Sequence, residues 1–298
     1  MTMTILKLGT RASPLALAQA EMVRNALLLA HGWTPDRVEI VAMTASGDKI
    51  LDRPLAEVGG KALWTKELDR ALFEGEIDFA VHSMKDVETI RPPELEIIAM
   101  LPRADVRDRL IGAASLSDLP QGARVGTSSP RRTAQLRRLR PDLQIVLFRG
   151  NVATRLAKLD ARDADATLLA AAGLDRLGLS DVGTAIADTE MLPAPAQGAI
   201  GIEMRAGDAR VAPALAAINH APTFACVIAE RTFLATLTAD CHSPVAALAR
   251  MEDGQLRLRG EILTEDGRMH EQGESDDPVA LARQLLDRAA PELRAVFG

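Results

Sequence analysis

A strand, a Gly-Thr turn and a Ser-Pro helix start occur twice in this sequence, once near residue 9 and once near residue 126. The first copy reads ILKLGTRASP and the second reads ARVGTSSP. In each copy the Ser predicts an N-cap and the Pro predicts the first residue of a helix. Because a strand followed by a helix is the repeating unit of α/β proteins, the sequence predicts two α/β domains of the same plan, each directing a helix N-terminus at a shared cleft.

The order of strand and helix patterns along the 298 residues predicts three domains. The strand LEIIAML leads into a first crossing near residue 102, and TEMLPAPAQGAIGIEM predicts a second crossing, so that the two form a hinge. From about residue 219, helical and strand-like patterns predict a small α+β domain. The predicted bounds are 1–101 with 199–218 for domain 1, 102–198 for domain 2 and 219–298 for domain 3.

Arginine is concentrated between Arg124 and Arg155, where eight arginines stand with one acidic residue in a chain of net charge −6. The guanidinium presents a fixed fork of donors that matches a carboxylate or phosphate with two hydrogen bonds. The sequence therefore predicts an anion site. Binding is assigned to Arg131, Arg132, Arg149 and Arg155, which stand at strand edges or helix starts, and a solvated helix face to Arg137, Arg138 and Arg140. Arg176, after the AAAGL turn, is predicted to face the same way.

The apolar strand IDFAV runs directly into the polar segment HSMKD, which ends at Asp86. Open α/β sheets bind ligands at the carboxyl ends of their strands. Asp86 is therefore predicted to be the carboxylate that faces a cationic intermediate, with a surface pair to Lys85 as the alternative. Upstream, the loop 46–62 predicts a lid, and Lys61 is predicted either to touch the ligand or to stay in solvent.

The two cysteines, Cys226 and Cys241, lie in contrasting surroundings. Cys226 falls within an apolar helical segment and is predicted to be part of the core. Cys241 falls in the polar turn TADCHSP, where nearby arginines would lower the pKa of its thiol, so it is predicted to be reactive. No Cys/His cluster has the spacing of metal ligands, and no metal is predicted.

The composition predicts a small acidic ligand and argues against other partners. The net charge is −6, Tyr is absent, and the few aromatic residues are not interleaved with the basic ones, so nucleic acid is not predicted as a partner. No apolar run reaches about 18 residues and the N-terminus does not resemble a secretion signal, so a cytoplasmic protein without a membrane partner is expected.

Ten motifs in order make the chain similar to the porphobilinogen deaminase family over roughly residues 8–248: GTRASPLALAQ, GDKILDRPLAEVGGKALWTKEL, AVHSMKD, VGTSSPRR, RPDL, RGNVATRLAKLD, LAAAGLDRLGL, QGAIGIE, AERTFL and the cysteine turn. The resemblance implies an α/β fold in which two domains similar to periplasmic binding proteins surround a cleft, with a small C-terminal α+β domain. It also implies a dipyrromethane cofactor joined to the cysteine sulfur, and a monomer.

The activity that the resemblance implies is the stepwise condensation of four porphobilinogen molecules, with loss of ammonia, on the bound dipyrromethane. Hydrolysis then releases the linear tetrapyrrole hydroxymethylbilane. By position, Cys241 is the attachment residue and Asp86 the catalytic carboxylate. The cofactor and substrate carboxylates are assigned to Arg11, Ser13, Ser83, Lys85, Thr127, Ser128, Ser129, Arg131, Arg132, Arg149, Gly150, Asn151, Arg155, Arg176, Gln197 and Gly198.

The sequence departs from the family pattern at a few positions. Ala239-Asp240 and His242 flank the cysteine where Gly-Gly and Gln are common, and Asp240 adopts a left-handed turn more easily than Ala239. Other departures, expected to alter hinge stiffness without removing a reactive group, are Pro130 for Leu, Glu88 for Pro, and Ala194-Pro195-Ala196 for Ala-Val-Gly.

Two alternatives from other functional classes remain open at this point. Two α/β lobes with facing helix N-termini would suffice for a non-catalytic binding protein that holds a small dicarboxylate or oxyanion. The arginines alone would also permit a phosphate-handling transferase, although no GxxxxGK[ST] loop accompanies them.

Overall fold

The structure is a computed structural model that describes residues 5–44 and 65–297. These residues form two compact units, one with residues 5–44, 65–104 and 199–224 and the other with 105–198 and 225–297. The predicted lid 46–62, with Lys61, lies outside the described residues. The three predicted domain bounds stay a prediction, because the second unit includes both the middle of the chain and its C-terminal part.

Thirteen strands and nine α-helices occur in the described residues. The strands are β1 (Leu6–Arg11), β2 (Val38–Met43), β3 (Phe79–Ser83), β4 (Leu95–Met100), β5 (Asp108–Ile111), β6 (Arg124–Thr127), β7 (Gln144–Leu147), β8 (Ala166–Ala170), β9 (Thr184–Ala185), β10 (Ile200–Arg205), β11 (Val245–Glu252), β12 (Gln255–Leu263) and β13 (His270–Ser275). The helices are α1 (Pro14–His31), α2 (Lys66–Phe73), α3 (Pro130–Leu139), α4 (Val152–Asp160), α5 (Ala171–Arg176), α6 (Ala212–Ala216), α7 (Ala221–Thr236), α8 (Pro278–Arg288) and α9 (Pro291–Arg294). Short 3-10 turns cover Pro35–Arg37 and Met84–Asp86.

The first unit contains a five-stranded sheet in the order β2-β1-β3-β10-β4. Strand β1 is parallel to β2 and β3, whereas β10 is antiparallel to β3 and β4. Buried apolar side chains such as Leu8, Phe79 and Ile202 form its core with α1. The carboxyl ends of the parallel strands therefore lie at one edge of the sheet.

The second unit repeats this plan in the order β7-β6-β8-β5-β9. Strand β6 is parallel to β7 and β8, and β5 is antiparallel to β8 and β9, so β5 takes the place that β10 has in the first sheet. Its core includes Leu110, Val125 and Leu168. The prediction of two α/β sheets of the same plan is confirmed.

The C-terminal part of the second unit is a three-stranded antiparallel sheet in the order β11-β12-β13. Phe233 from α7 and Leu281 and Leu285 from α8 pack on it with no exposed surface. Cys226 belongs to the same core, as predicted. The predicted small α+β element is confirmed as a sheet with helices on it.

Both predicted Ser-Pro helix starts are confirmed. The side chain of Ser13 accepts a hydrogen bond from Ala16 N, and that of Ser129 accepts one from Arg132 N, so each serine caps a helix whose first residue is proline. Each helix N-terminus thereby follows a strand after a turn of two residues. Among the described residues no helix combines the length and apolar character needed to span a bilayer.

Candidate active site

A pocket in the first unit, lined by both polar and apolar side chains, brings together four residues that the sequence predicted: Arg11, Ser13, Ser83 and Asp86. Arg11 ends β1, Ser13 caps α1, Ser83 ends β3, and Asp86 ends the 3-10 turn that follows β3. The pocket lies where two adjacent parallel strands end, which is the ligand-binding edge of an α/β sheet. Lys85 lies in the same 3-10 turn and is half-buried.

The segment that holds Asp86 is tied down at its start by neighbouring elements. Met84 N donates a hydrogen bond of 3.1 Å to Ala199 O, and Gln19 from α1 reaches Ser83 with Nε2 2.8 Å from its Oγ. Ser83 Oγ in turn donates to Gln19 Oε1 at 3.0 Å. Because Gln19 is buried and both ends of its amide are used, it fixes the strand end from which the turn with Asp86 starts.

Beside this pocket lies a group of ionisable side chains that we call the acid-rich cluster: Asp69, His82, Glu88, Arg91 and Glu203. The Arg91 guanidinium donates to Glu203 Oε1 and Oε2 at 2.8 Å each, to Glu88 at 2.6 Å and to Asp69. His82, which also lines the pocket, lies 3.0 Å from Glu203 Oε2 through its Nε2. One guanidinium is thus shared by three carboxylates.

The burial of this cluster shifts its pKa values in different directions. Burial raises the pKa of Asp69, and its hydrogen bond from Arg91 only partly opposes that. Burial also acts to raise the pKa of Glu203, but the hydrogen bonds and charges of His82 and Arg91 outweigh it and lower the pKa to about 2. Burial acts to lower the pKa of Arg91, yet Glu203 and Asp69 raise it overall.

The second unit contains the opposite arrangement, which we call the arginine cluster: Asp108, Arg131, Arg132, Arg176 and Gln197. Arg132 Nη2 donates a hydrogen bond to Asp108 Oδ1 at 2.7 Å. Arg131 Nη2 lies 2.8 Å from Asp108 Oδ2, but the two groups are not aligned for a hydrogen bond and form only an ion pair. Gln197 Nε2 also donates to Asp108 Oδ1, at 2.9 Å. The carbonyl oxygen of the next residue, Gly198, accepts a hydrogen bond from Arg176 Nη2 at 2.7 Å. The segment Gln197-Gly198 therefore connects Arg176 to Asp108 and to the two arginines that Asp108 contacts.

Arg131 and Arg132 are only 3% and 5% exposed, so the predicted anion site includes two guanidiniums inside the protein. Burial lowers the pKa of Arg131, and the negative charge of Asp108 offsets part of this decrease. Burial also lowers the pKa of Arg176 to about 10. Burial acts to raise the pKa of Asp108, but the charges of Arg131 and Arg132 hold that pKa well below its usual range. The cluster keeps more cationic than anionic charge.

Three donors of this cluster have no hydrogen-bond acceptor within the described part of the chain: the buried Nε–H groups of Arg131, Arg132 and Arg176. A buried donor without a partner is costly, and charged donors cost most. Carboxylate oxygens would satisfy such groups and would also balance the excess cationic charge. The donor set therefore fits an anionic group that bears several carboxylates.

The remaining predicted binding residues lie at helix starts of the second unit. Thr127 ends β6 and accepts from Ser129 N at 3.1 Å, with Ser128 half-buried between them. Asn151 caps α4, since its Oδ1 accepts from Thr154 N at 2.9 Å. Arg149 is buried, Gly150 has a φ of 108°, and Arg155 Nε donates to Gly150 O at 3.0 Å.

The prediction of a solvated face is wrong for two of its three arginines. Arg140 donates to the carbonyls of Leu116 and Leu119 and to Asp142, and Arg138 lies 3.2 Å from Glu261 in an ion pair. Arg137 is exposed, although its Nη1 donates to Glu265 O at 3.0 Å. These side chains tie α3 to its neighbours, because the fold brings Leu116, Leu119 and Glu261 within reach, and Asp142 is an acceptor close in sequence.

Cys241 is exposed, in the polar turn that was predicted. Asp240 Oδ1 accepts from His242 N at 2.8 Å, and Asp240 N donates to Ser243 Oγ at 3.1 Å. The residue of this segment with a left-handed backbone is Thr238, which has a φ of 56°. The left-handed conformation therefore occurs before Ala239 and Asp240 and not at either of them. An exposed thiol on a short hydrogen-bonded turn is accessible for covalent attachment.

Ala196, which stands where the family commonly has glycine, has a φ of 61°. Its N–H is bound by Oε2 of Glu230, a fully buried carboxylate on α7 whose Oε1 accepts from Ala249 N at 2.7 Å. A left-handed non-glycine residue costs about 1–2 kcal/mol, and the charged hydrogen bond compensates for this. The adjacent Gln197 and Gly198 are thereby held in the arginine cluster.

Several residues of the pocket and of the two clusters were not predicted from the sequence, above all Asp108, Glu203, Gln19 and His82. Asp108 is a single acid between two arginines at the start of an apolar strand, which is a weak signal. Glu203 is the one charged residue inside the strand-like segment AIGIEM, and a lone charge in an apolar strand indicates a buried partner. The described residues hold no group of three or more His, Cys, Asp or Glu suited to a metal ion.

Comparison with known proteins gives consistent matches along the chain. A family model described as porphobilinogen deaminase, dipyromethane cofactor binding domain, matches residues 6–213, and the porphobilinogen deaminase C-terminal domain matches residues 224–295. The porphobilinogen deaminase of Sphingopyxis alaskensis is 59% identical over 303 residues, which cover 98% of this chain and 96% of that protein. The porphobilinogen deaminase of Paracoccus denitrificans is 52% identical over 292 residues, which cover 97% and 93%.

Among solved structures, a TRAP periplasmic solute binding protein from Desulfovibrio salexigens is similar with a TM-score of 0.43 and 12% identity, covering 73% of each chain. A similarity of this size adds nothing to the strand orders described above.

Proposed function

The chain belongs to the porphobilinogen deaminase family, and from that premise we propose which of its residues perform the reaction. It is a transferase that acts on porphobilinogen and carries a dipyrromethane cofactor. The two alternatives, a non-catalytic binding protein and a phosphate-handling transferase, are set aside by this membership. The individual residue roles are proposals that rest on the contacts described above.

One observation supports the assignment most strongly: the buried arginine cluster has three Nε–H donors without acceptors in the described residues. Porphobilinogen and its oligomers carry two carboxylates on every ring. A binding surface for them needs guanidinium donors in surplus over protein acids, and two arginines on one Asp108 provide that surplus.

We propose that Arg131, Arg132 and Arg176 bind carboxylates of the cofactor and of rings already added, together with Arg149 and Arg155. Arg11, Ser13, Ser83 and Lys85 are assigned to carboxylates at the pocket of the first unit. The helix N-termini that Ser129 and Asn151 cap add backbone N–H donors. The other members of the proposed set are Thr127, Ser128, Gly150, Gln197 and Gly198.

When bound, the cofactor would supply an unsubstituted α-carbon as the nucleophile for the first substrate ring. Cys241 would hold it through a thioether, for which an exposed turn is suited. The arginines hold its acetate and propionate groups in a fixed position.

Asp86 is proposed to be the catalytic carboxylate. Loss of ammonia from porphobilinogen leaves a positively charged methylene pyrrole, and a carboxylate beside the pyrrole N–H stabilises that charge. Asp86 also accepts the proton released when a new ring regains aromaticity. Hydrolysis finally releases the linear tetrapyrrole hydroxymethylbilane after four condensations.

The state and location of the protein are part of the same proposal. We expect a cytoplasmic monomer that binds neither nucleic acid nor membranes, a proposal supported by the acidic net charge of −6. Light scattering coupled to size-exclusion chromatography measures the oligomeric state, and a dimer mass would contradict it.

The test of the proposed function is incubation with porphobilinogen combined with intact-mass measurement. The wild-type chain should be heavier than its sequence by a two-pyrrole adduct, should gain mass in single-ring steps and should release a linear tetrapyrrole. Active protein of unmodified mass would contradict the cofactor attachment.

Cys241→Ser should give folded protein without a stable adduct, because a serine hydroxyl does not form the thioether. Cys226→Ala is the matched control, since Cys226 is buried in the C-terminal core, and it should keep the adduct. An adduct that persists in Cys241→Ser would assign the attachment to another residue.

A further inference from the structure

Two fully buried polar side chains, Gln135 on α3 and Glu261 on β12, meet where the C-terminal sheet contacts α3. Gln135 is 0% exposed and Glu261 is 2% exposed. Burying a carboxylate is unfavourable unless hydrogen bonds and a cation compensate for it. Here Arg138 Nε lies 3.2 Å from Glu261 Oε1, and Gln135 Nε2 donates to Oε2 at 2.8 Å.

The Gln135 amide connects Glu261 to the arginine cluster. Its Nε2 donates to Glu261 and also to Leu192 O at 3.0 Å, while its Oε1 accepts from Arg131 Nη1 at 3.0 Å. If the Gln135 amide were flipped by 180°, its NH2 group would face the guanidinium of Arg131, and two hydrogen-bond donors would oppose each other. Glu261 and Leu192 O both accept from the NH2 side, so both favour the orientation that gives Arg131 an acceptor, and Glu261 is the charged acceptor of the two.

We propose that Glu261 is a positioning residue for the carboxylate site, acting through Gln135 on Arg131. The inference rests on the proposed role of Arg131 in binding carboxylates. Nη1 of Arg131 is held by Gln135 and by Leu192 O, and Nη2 lies in an ion pair with Asp108. The buried Nε–H of Arg131 has no acceptor in the described residues and is available as a donor to a ligand. The C-terminal sheet thus helps to fix the orientation of the Arg131 guanidinium that is proposed to bind the ligand.

A positioning role and a purely electrostatic role predict opposite effects. If only the charge of Glu261 mattered, its removal would make the cluster more positive and would strengthen carboxylate binding. If the orientation of Gln135 matters, removal of the acceptor releases Arg131 and weakens binding. The direction of the change in KM therefore separates the two.

The experiment compares Glu261→Leu with Glu261→Gln and with the control Arg137→Met. Arg137 lies on the same helix and also contacts the C-terminal part, through Glu265 O. Among the described residues it forms no hydrogen bond or ion pair with Glu261, Gln135 or Arg131. The readouts are KM and kcat for porphobilinogen, the fraction of chains with the two-pyrrole adduct by intact mass, and the thermal midpoint.

We expect Glu261→Leu to raise KM by about tenfold with kcat within about twofold, and to lower the adduct fraction. Glu261→Gln should stay within about threefold of wild type, because its carbonyl still accepts from Gln135. Arg137→Met should leave KM unchanged. In an Arg131→Lys background, Glu261→Leu should add no further rise in KM, because the two changes act on one contact.

The inference is overturned if Glu261→Leu leaves KM unchanged, if both Glu261 variants lower KM, or if Arg137→Met matches Glu261→Leu. If Glu261→Leu fails to fold, Gln135→Met takes its place with the same expected rise in KM. Absence of adduct and turnover in the wild-type chain would instead contradict the proposed function itself.

Discussion

The two five-stranded sheets have the same strand plan but opposite charge excess around a buried carboxylate on the corresponding strand. In each, the antiparallel strand in the fourth position contributes one buried carboxylate, Glu203 on β10 and Asp108 on β5. Around Glu203, one guanidinium, Arg91, is shared with two further acids, Asp69 and Glu88. Around Asp108, two guanidiniums share one acid.

Glu203 pairs with Ala80 inside β3, whereas Asp108 pairs with Ala170 at the end of β8, so the shared strand plan does not fix where the carboxylate stands. This difference teaches that neighbouring side chains decide the sign of the charge around each carboxylate. Excess acid beside the pocket of Asp86 suits a cationic pyrrole intermediate. Excess arginine in the second sheet suits the carboxylates of the same molecules. The proposed function would use both kinds of cluster.

The largest expected effects come from breaking the central pair of each cluster. Arg91→Met leaves three carboxylates without their guanidinium, and Asp108→Asn leaves two guanidiniums without their carboxylate. Each should lower the free energy of unfolding by about 3–5 kcal/mol, measured by urea denaturation at pH 7.5.

The pH dependence of the two losses separates the clusters. Carboxylates without a cation take up protons as the pH falls, so the loss in Arg91→Met should shrink between about pH 8 and pH 5. Guanidiniums do not lose their protons in this range, so the loss in Asp108→Asn should persist. Equal behaviour of both variants would contradict the opposite charge excess, and Arg91→Lys controls for loss of packing.

Next in size is the effect of Asp86→Asn on turnover. We expect kcat to fall about 100-fold or more with the thermal midpoint unchanged, because the half-buried side chain keeps its shape but loses its charge. Glu88→Gln removes an acid of the adjacent cluster and should change kcat only a few-fold. The measurement is steady-state kinetics, and a near-normal kcat in Asp86→Asn would contradict the proposed catalytic role of Asp86.

A smaller effect concerns acid stability through Glu203. Its pKa in the folded protein, about 2, lies below the ordinary value of 4.5, so its contribution is present above about pH 4.5 and is lost as the pH falls toward 2. By pH 3 the loss should be about 2 kcal/mol. Glu203→Gln should flatten this part of the stability curve, and an unchanged slope would contradict the hydrogen bonds from His82 and Arg91.

Much of the fold was predictable because the sequence patterns that mark helix starts and strand ends span only a few neighbouring residues. The Ser13-Pro14 and Ser129-Pro130 pairs fixed two helix starts, and an apolar strand before a polar turn located Asp86. Cys241 was located by the polarity of its turn. Each of these depends on residues within a few positions, where helix capping and strand ends leave a readable pattern.

The partners of the predicted residues could not be read from the sequence, because they are distant along it. Asp108 and Arg132 are 24 positions apart, and Gln135 and Glu261 are 126 apart. Arg138 and Arg140 were predicted as solvated for the same reason, since local composition does not show which acceptors the fold brings close. Whether an arginine binds a ligand or a protein acid is decided by such contacts.

Strand β10 lies between β3 and β4, yet it comes about a hundred residues after β4 in the chain. During synthesis β3 and β4 are therefore made long before β10, the strand that hydrogen-bonds to both of them. The sheet built from β5 to β9, in contrast, has all its strands before β10 leaves the ribosome. Since domains form as their strands become available, the later-encoded sheet can be complete first, while unpaired edges of the earlier one invite chaperone binding or association between nascent chains.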